Sequence, residues 1–214
     1  MKNVLSVHLV TNPEQTARLH ELQVAFAQVC NALAPLVQQT RCWNRVGLHH
    51  LAYRSMRERF PQLGSQMICN AIYSVSRTCR RVYREPDKGL PLLLFLPTAP
   101  VYFDRHTLSI KNGQLSMFTL DGRMRFHLGL AEADLQRFAD ERLREIILSR
   151  GTAGYFLHFV FAVEGEGDGE EAEMPHYVVV LPPEEEGGSM RVTTLEGRDL
   201  ESAKDACAAG IARF

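Results

Sequence analysis

Between Ser65 and Arg84 the residues with chemistry to offer recur at helical spacing. Gln66, Asn70, Tyr73, Arg77, Arg80, Arg81 and Arg84 share one side of a 3.6-residue period. Ile68, Ile72, Val75, Cys79 and Val82 share the other. The stretch contains no Asp or Glu, whereas a solvated helix usually pairs acids with bases four residues apart. Guanidinium groups bind phosphate, and Gln or Asn can bond a base edge twice. A polynucleotide would use this pattern, although a plain basic face over a core stripe would show it too.

Other reactive residue types have no such order. His49 and His50 are neighbours on a helical stretch and point in different directions, so they cannot chelate one metal together. The eight histidines show no HExxH or HxH spacing. The five cysteines are odd in number and lack CxxC pairs, which reads as reduced thiols rather than a zinc site or disulfide frame. Cys69 and Cys79 read as small core residues. No serine or cysteine sits in a local nucleophile signature. No catalytic residue, metal or cofactor is expected.

The net charge of −1 hides an asymmetry. Residues 1–100 carry 12 Lys/Arg against 5 Asp/Glu, and residues 151–214 carry 4 against 13. A basic front half calls for a polyanionic partner. No apolar run is long enough to span a bilayer, and a cytoplasmic, soluble protein without membrane contact is expected.

The elements that must position these residues follow in order. Asn3–Val10 alternates like a strand. Asn12-Pro13-Glu14-Gln15 gives a box-like helix start, and apolar spacing carries that helix to about Gln38 despite Pro35. A second helix is expected from Leu48 to Arg59 and a third from Ser65. Arg41, Trp43 and Arg45 fall in the intervening loop, where Trp43 fits either base stacking or a core anchor. Strands are expected at Val101–Asp104, Thr107–Lys111, Gln114–Thr119 and Arg123–Leu128, with Asn112-Gly113 and Asp121-Gly122 as hairpin signals. A helix at Ala131–Arg144 and strands at Glu145–Leu148 and Gly154–Val163 follow. Phe103, Arg105, His106, Arg123 and Arg125 fit either RNA contact or plain solvation. Glu164–Glu173 reads as an acidic linker, Met174–Leu181 and Met190–Thr194 as strands, and Asp199–Arg213 as a small amphipathic helix.

The first strand must pair beyond residue 89. The expected fold is therefore α+β: an antiparallel β-barrel from residues 1–10 and 90–163, interrupted by a three-helix insertion over 11–89. A short acidic C-terminal segment, 164–214, completes it.

This order resembles the N-terminal half of the TnpB family, transposon-encoded RNA-guided nucleases related to type V CRISPR effectors. The matching pieces are Leu5–Leu9 with Asn12-Pro13-Glu14-Gln15, Phe26 with Asn31, and Leu51–Arg57. Gly64-Ser65-Gln66 through Arg80-Arg81-Val82-Tyr83 follows, then Leu108–Gln114, Leu120–Arg123 and Gly154–Leu157. The resemblance covers about residues 1–165 and implies an OB-like wedge barrel with a recognition insertion, gripping guide RNA and reading a DNA motif. It places Ser65, Gln66, Cys69 and Asn70 at the motif-reading position, with Gln66 and Asn70 as readers and Cys69 discordant because its phase points inward. Arg77, Arg80, Arg81 and Arg84 would hold phosphates, Tyr73 would share their face, and Arg54 and Arg57 would extend the surface.

No counterpart of the family's nuclease domain is expected in this sequence, since Met174–Leu181 ends in Pro182-Pro183 without an Asp. The expected function is non-catalytic binding of guide-like RNA or target DNA in a nuclease-less or split RNA-guided complex, with a separate nuclease chain as a candidate partner. A stand-alone RNA/DNA-binding regulator, or a protein-interaction module that has lost nucleic-acid binding, stays open beside it.

Overall fold

The computed structural model describes residues 4–83, 91–111 and 113–162, together with the backbone of 178–181, 192–194 and 199–200. It is a mixed α+β structure with antiparallel strand pairing throughout and four helices among the described residues. Two compact units divide the chain: residues 1–22 with 100–175, and residues 23–99 with 176–214.

In the first unit, strand β1 (Val4–Leu9) pairs antiparallel with β8 (Gly154–Phe161), so the N-terminal strand joins a sheet built from the far end of the sequence, as expected. The sheet order is β1-β8-β7-β3, with β7 spanning Leu143–Gly151 and β3 spanning Val101–Phe103. Strand alternation makes one face of β8 core: Tyr155, Leu157, Phe159 and Phe161 are buried, and Phe156, His158 and Val160 between them are half-buried. Helix α4 (Glu132–Asp140) sets Phe138 edge-on against Phe159 and Phe161 at 5.0 and 5.3 Å.

A second sheet of this unit runs β4 (Leu108–Lys111), β5 (Gln114–Thr119) and β6 (Gly122–His127) as two consecutive hairpins. Gly113 (φ 71°) and Gly122 (φ 92°) hold the left-handed backbone that these tight turns need and that a Cβ would oppose. Leu115, Met117, Met124 and Phe126 line the buried side.

The second unit is built on helix α1 (Pro13–Thr40), whose first three turns belong to the first unit. The start of α1 is a reciprocal capping box. Asn12 Oδ1 accepts the Gln15 amide at 2.8 Å, and the Asn12 amide donates to Gln15 Oε1 at 3.0 Å. Pro35 removes one helical donor. The helix continues to Thr40 because Phe26, Val29, Cys30, Leu33 and Val37 are fully buried, each large side chain worth about 1.5–3 kcal/mol. Asn31 fastens α1 to β2 (Leu92–Phe95): its Nδ2 donates to the Phe95 carbonyl at 2.9 Å and its Oδ1 accepts the Phe95 amide at 2.7 Å.

The strands form three separate sheets and none closes on itself, so the expected single barrel is not present among the described residues. Hairpin signals fix which consecutive strands pair, but not which sheet an isolated apolar segment joins. Leu92–Phe95 pairs with β9 (Val178–Leu181), in a sheet ordered β11-β10-β9-β2 with β10 at Val192–Thr194 and β11 at Asp199–Leu200. Asp199–Leu200, expected to open a helix, is thus a strand paired with β10, and the rest of that expected helix lies outside the described residues. The expected linker Glu164–Glu173 also lies outside them.

Candidate nucleic-acid interface

Helices α2 (Arg45–Arg59) and α3 (Ser65–Val82) form a hairpin in the second unit. The second helix starts three residues earlier than expected because Asn44 caps it, its Oδ1 accepting the amides of Val46 at 3.0 Å and Gly47 at 3.2 Å. That cap brings Trp43 and Arg45 against α3. The Trp43 carbonyl accepts the Ser76 hydroxyl at 2.6 Å, and the indole meets the Tyr83 ring edge-on at 5.4 Å. Arg45 lies over the Tyr73 ring, 5.1 Å from its centroid. Arg41, Arg45, Arg80 and Arg81 are all exposed. Arg41 adopts φ 53°, an uncommon backbone for a residue with a Cβ.

Beneath this corner Cys30, Ser74, Cys79 and Tyr83 are buried. The Cys30 thiol bonds the Ser74 hydroxyl and burial pushes its pKa up. Burial likewise pushes Cys79 to about 12 and raises the Tyr83 phenol, whose hydroxyl donates to the Pro91 carbonyl at 2.8 Å.

The expected polar face of α3 does not lie open along its length. Asn70 is 6% exposed and Arg77 9% exposed, and neither is without an interaction partner. Ser74 and Ser76 are buried as well, so the middle of α3 is enclosed except at half-buried Tyr73, and the helix is most open at its ends. Ser65 is exposed at the start, Gln66 and Cys69 are half-buried there, and Arg80 and Arg81 are exposed at the finish. Cys69 is therefore less deeply placed than the expected core position, while Cys79 is fully buried. Arg84 lies outside the described residues.

Arg54 and Arg57 belong to the C-terminal half of α2, the end of the hairpin nearer Ser65. Arg57, half-buried, donates to the Leu63 carbonyl and pins the interhelical turn. Arg54 pairs with Glu58 at 3.3 Å, both strongly exposed, a contact worth little in water. His49 stacks on Tyr53 at 4.7 Å, and the His49 and His50 rings stand nearly perpendicular with centroids 6.0 Å apart.

The electrostatics of this part are one-sided. Between residues 23 and 83 there are eight arginines and one carboxylate, Glu58. Six of those arginines (Arg41, Arg45, Arg54, Arg59, Arg80 and Arg81) are exposed. Arg41 and Arg45, just before and after the Asn44 cap, add two exposed guanidinium groups to those of Arg80 and Arg81 in the last turn of α3. The Asn44 capping signal, read together with Arg45, would have placed Arg41 and Arg45 at that cap.

One polar row in the first unit has catalytic residue types. His158 sits between the hydroxyls of Ser6 (2.8 Å from Nδ1) and Ser149 (2.7 Å from Nε2) across β1, β8 and β7. Burial lowers the His158 pKa. A neutral imidazole donates to one hydroxyl and accepts from the other, which makes the row a satisfied cross-strand bridge.

Among the described residues no group of three His, Cys, Asp or Glu side chains could hold a metal ion. No helix among them is long and apolar enough to cross a membrane. No family model matches the chain, and no curated protein matches it.

Proposed function

We propose that this chain is a non-catalytic nucleic-acid-binding protein that resembles the guide-RNA and target-DNA-binding half of a TnpB-like RNA-guided nuclease. The first unit would correspond to a wedge-like, OB-like β part, and the α1–α3 helices to the recognition part. The reading is carried by one observation: eight arginines against one carboxylate over residues 23–83, six of them exposed. Such a surface concentrates phosphate and gains affinity through counterion release. Arg41, Arg45, Arg80 and Arg81 would hold phosphates, while Trp43 and Tyr73 stiffen the corner that presents them. A separate nuclease chain is the proposed protein partner.

Purification of the protein from its native host, with sequencing of co-purifying nucleic acid and identification of co-purifying proteins, tests this. One enriched structured RNA is the expected result, with a nuclease beside it if the complex is split. Protein free of nucleic acid at low salt would overturn the reading. The burial of Asn70 and Arg77 favours a second reading, an interaction module that no longer binds nucleic acid. Reversal of charge at Arg80 and Arg81 without loss of function would support it.

A further inference from the structure

The β4–β5–β6 sheet of the first unit has an outer face unlike its inner one. Register places Phe118 opposite Arg123, Ser116 opposite Arg125, and Gln114 between Lys111 and His127. These side chains share one face, because alternation sends Leu115, Met117, Met124 and Phe126 to the other side. Lys111, Arg123, Arg125 and His127 are exposed, and Phe118 is 39% exposed, one of few large apolar side chains so open. The face itself has no carboxylate. The nearest acid in sequence, Asp121 in the β5–β6 turn, faces Arg18 at 3.9 Å.

The aromatic group on this face is prepared rather than loose. The Arg123 guanidinium lies over the Phe118 ring, 4.0 Å from its centroid, and its Nη1 donates to the Ser116 hydroxyl at 3.2 Å. The guanidinium covers one face of the ring and is held there, so the plane open to a stacking base is the outer face of the exposed Arg123 guanidinium. Arg125 and Lys111 carry no ion pair among the described residues.

We propose that this face binds a single-stranded polynucleotide: a base stacks on the Phe118–Arg123 platform, and Arg125 and Lys111 hold the flanking phosphates. Charge complementarity selects a polyanion, and the exposed stacking plane selects unpaired bases, whose faces a duplex hides. The side chains lie on neighbouring strands about 4.8 Å apart, so one extended strand can touch all of them. This site shares the ligand class of the function proposed above, but it lies in the other unit and does not depend on the arginine corner of α2 and α3.

Fluorescence anisotropy of the full chain with labelled oligo-dT, oligo-rU and a duplex tests it. Phe118→Ala should weaken single-strand binding about tenfold, and Phe118→Trp should keep it. Arg125→Ala and Lys111→Ala should each lower the salt slope by about 0.7. Oligo-dT and oligo-rU should bind alike, since no contact here reads a 2′-hydroxyl. The Phe118→Ala and Arg125→Ala proteins are checked for unchanged circular dichroism, which their surface positions predict. Wild-type affinity in both variants, with binding lost instead in Arg80→Ala/Arg81→Ala, would overturn this site and leave the helical reading standing. Binding of duplex but not single strands would overturn it as well. Failure of the wild type to bind any of the three would overturn both.

Discussion

Arg45 lies over the ring of Tyr73 at 5.1 Å and so joins the first turn of α2 to the middle of α3. The contact leaves the guanidinium exposed while limiting where it points. An exposed cation–π contact is worth about 0.5–1 kcal/mol, too little to decide folding. Arg45→Ala should therefore change stability by less than about 1 kcal/mol in urea. It should also lower the salt slope of nucleic-acid binding by about 1, the loss of one phosphate contact. Arg80→Ala should do the same, and Arg77→Ala should instead show as lost stability, because Arg77 is buried.

Asn31 answers both backbone polar groups of Phe95, at 2.9 and 2.7 Å. Asn31→Ala leaves a partly buried N–H and C=O unpaired, at a cost of about 2–3 kcal/mol in urea unfolding. Asn31→Asp keeps the acceptor but sets a part-buried carboxylate oxygen against the Phe95 carbonyl, so its loss should be at least as large.

What was legible in the sequence was local. The Asn12–Gln15 box, the Gly113 and Gly122 turns and the strand alternation of β5, β6 and β8 are each written within a few residues, and each stands where expected. The pairing of β1 with a late strand followed from a counting argument about unsatisfied backbone. Helical periodicity says which residues share a face but not what lies opposite it, so the enclosure of Asn70 and Arg77 was invisible. Ser74 and Ser76, buried on flanks that look polar, give the same lesson. The union of β2 with β9, and hence the absence of one closed barrel among the described strands, depends on a pairing across more than eighty residues that no local signal encodes.

His158 supplies a pH prediction. Burial depresses its pKa in the folded protein, so the unfolded chain takes up the proton first as pH falls below about 6.5. Stability is full above that pH, declines between it and the depressed folded value, and then levels once both states are protonated. His158→Gln should remove this part of the acid loss, read as a shallower fall of Tm between neutral and mildly acidic buffer.

The buried thiols give a chemical readout. Cys79 is pushed up to about 12 and Cys30 is also raised, both by burial, so neither forms the thiolate that alkylation needs. Iodoacetamide at mildly alkaline pH should modify half-buried Cys42 and spare Cys30 and Cys79 in the native protein, with all three labelled in urea. Peptide mass spectrometry reads the sites. For Cys79 the unfolded thiol ionises above about 8.5 while the folded one does not, so stability should fall as pH rises beyond that point.

A salt titration of nucleic-acid binding by the purified full chain, with structured RNA and duplex DNA, is the most direct test of the arginine surface. With four to six exposed arginines engaging phosphates, affinity should fall linearly on logarithmic axes with a slope of about −4 to −5, and shrink by about 1 for each of Arg45, Arg80 and Arg81 removed. No binding at low salt, or affinity indifferent to both salt and these arginines, would contradict it.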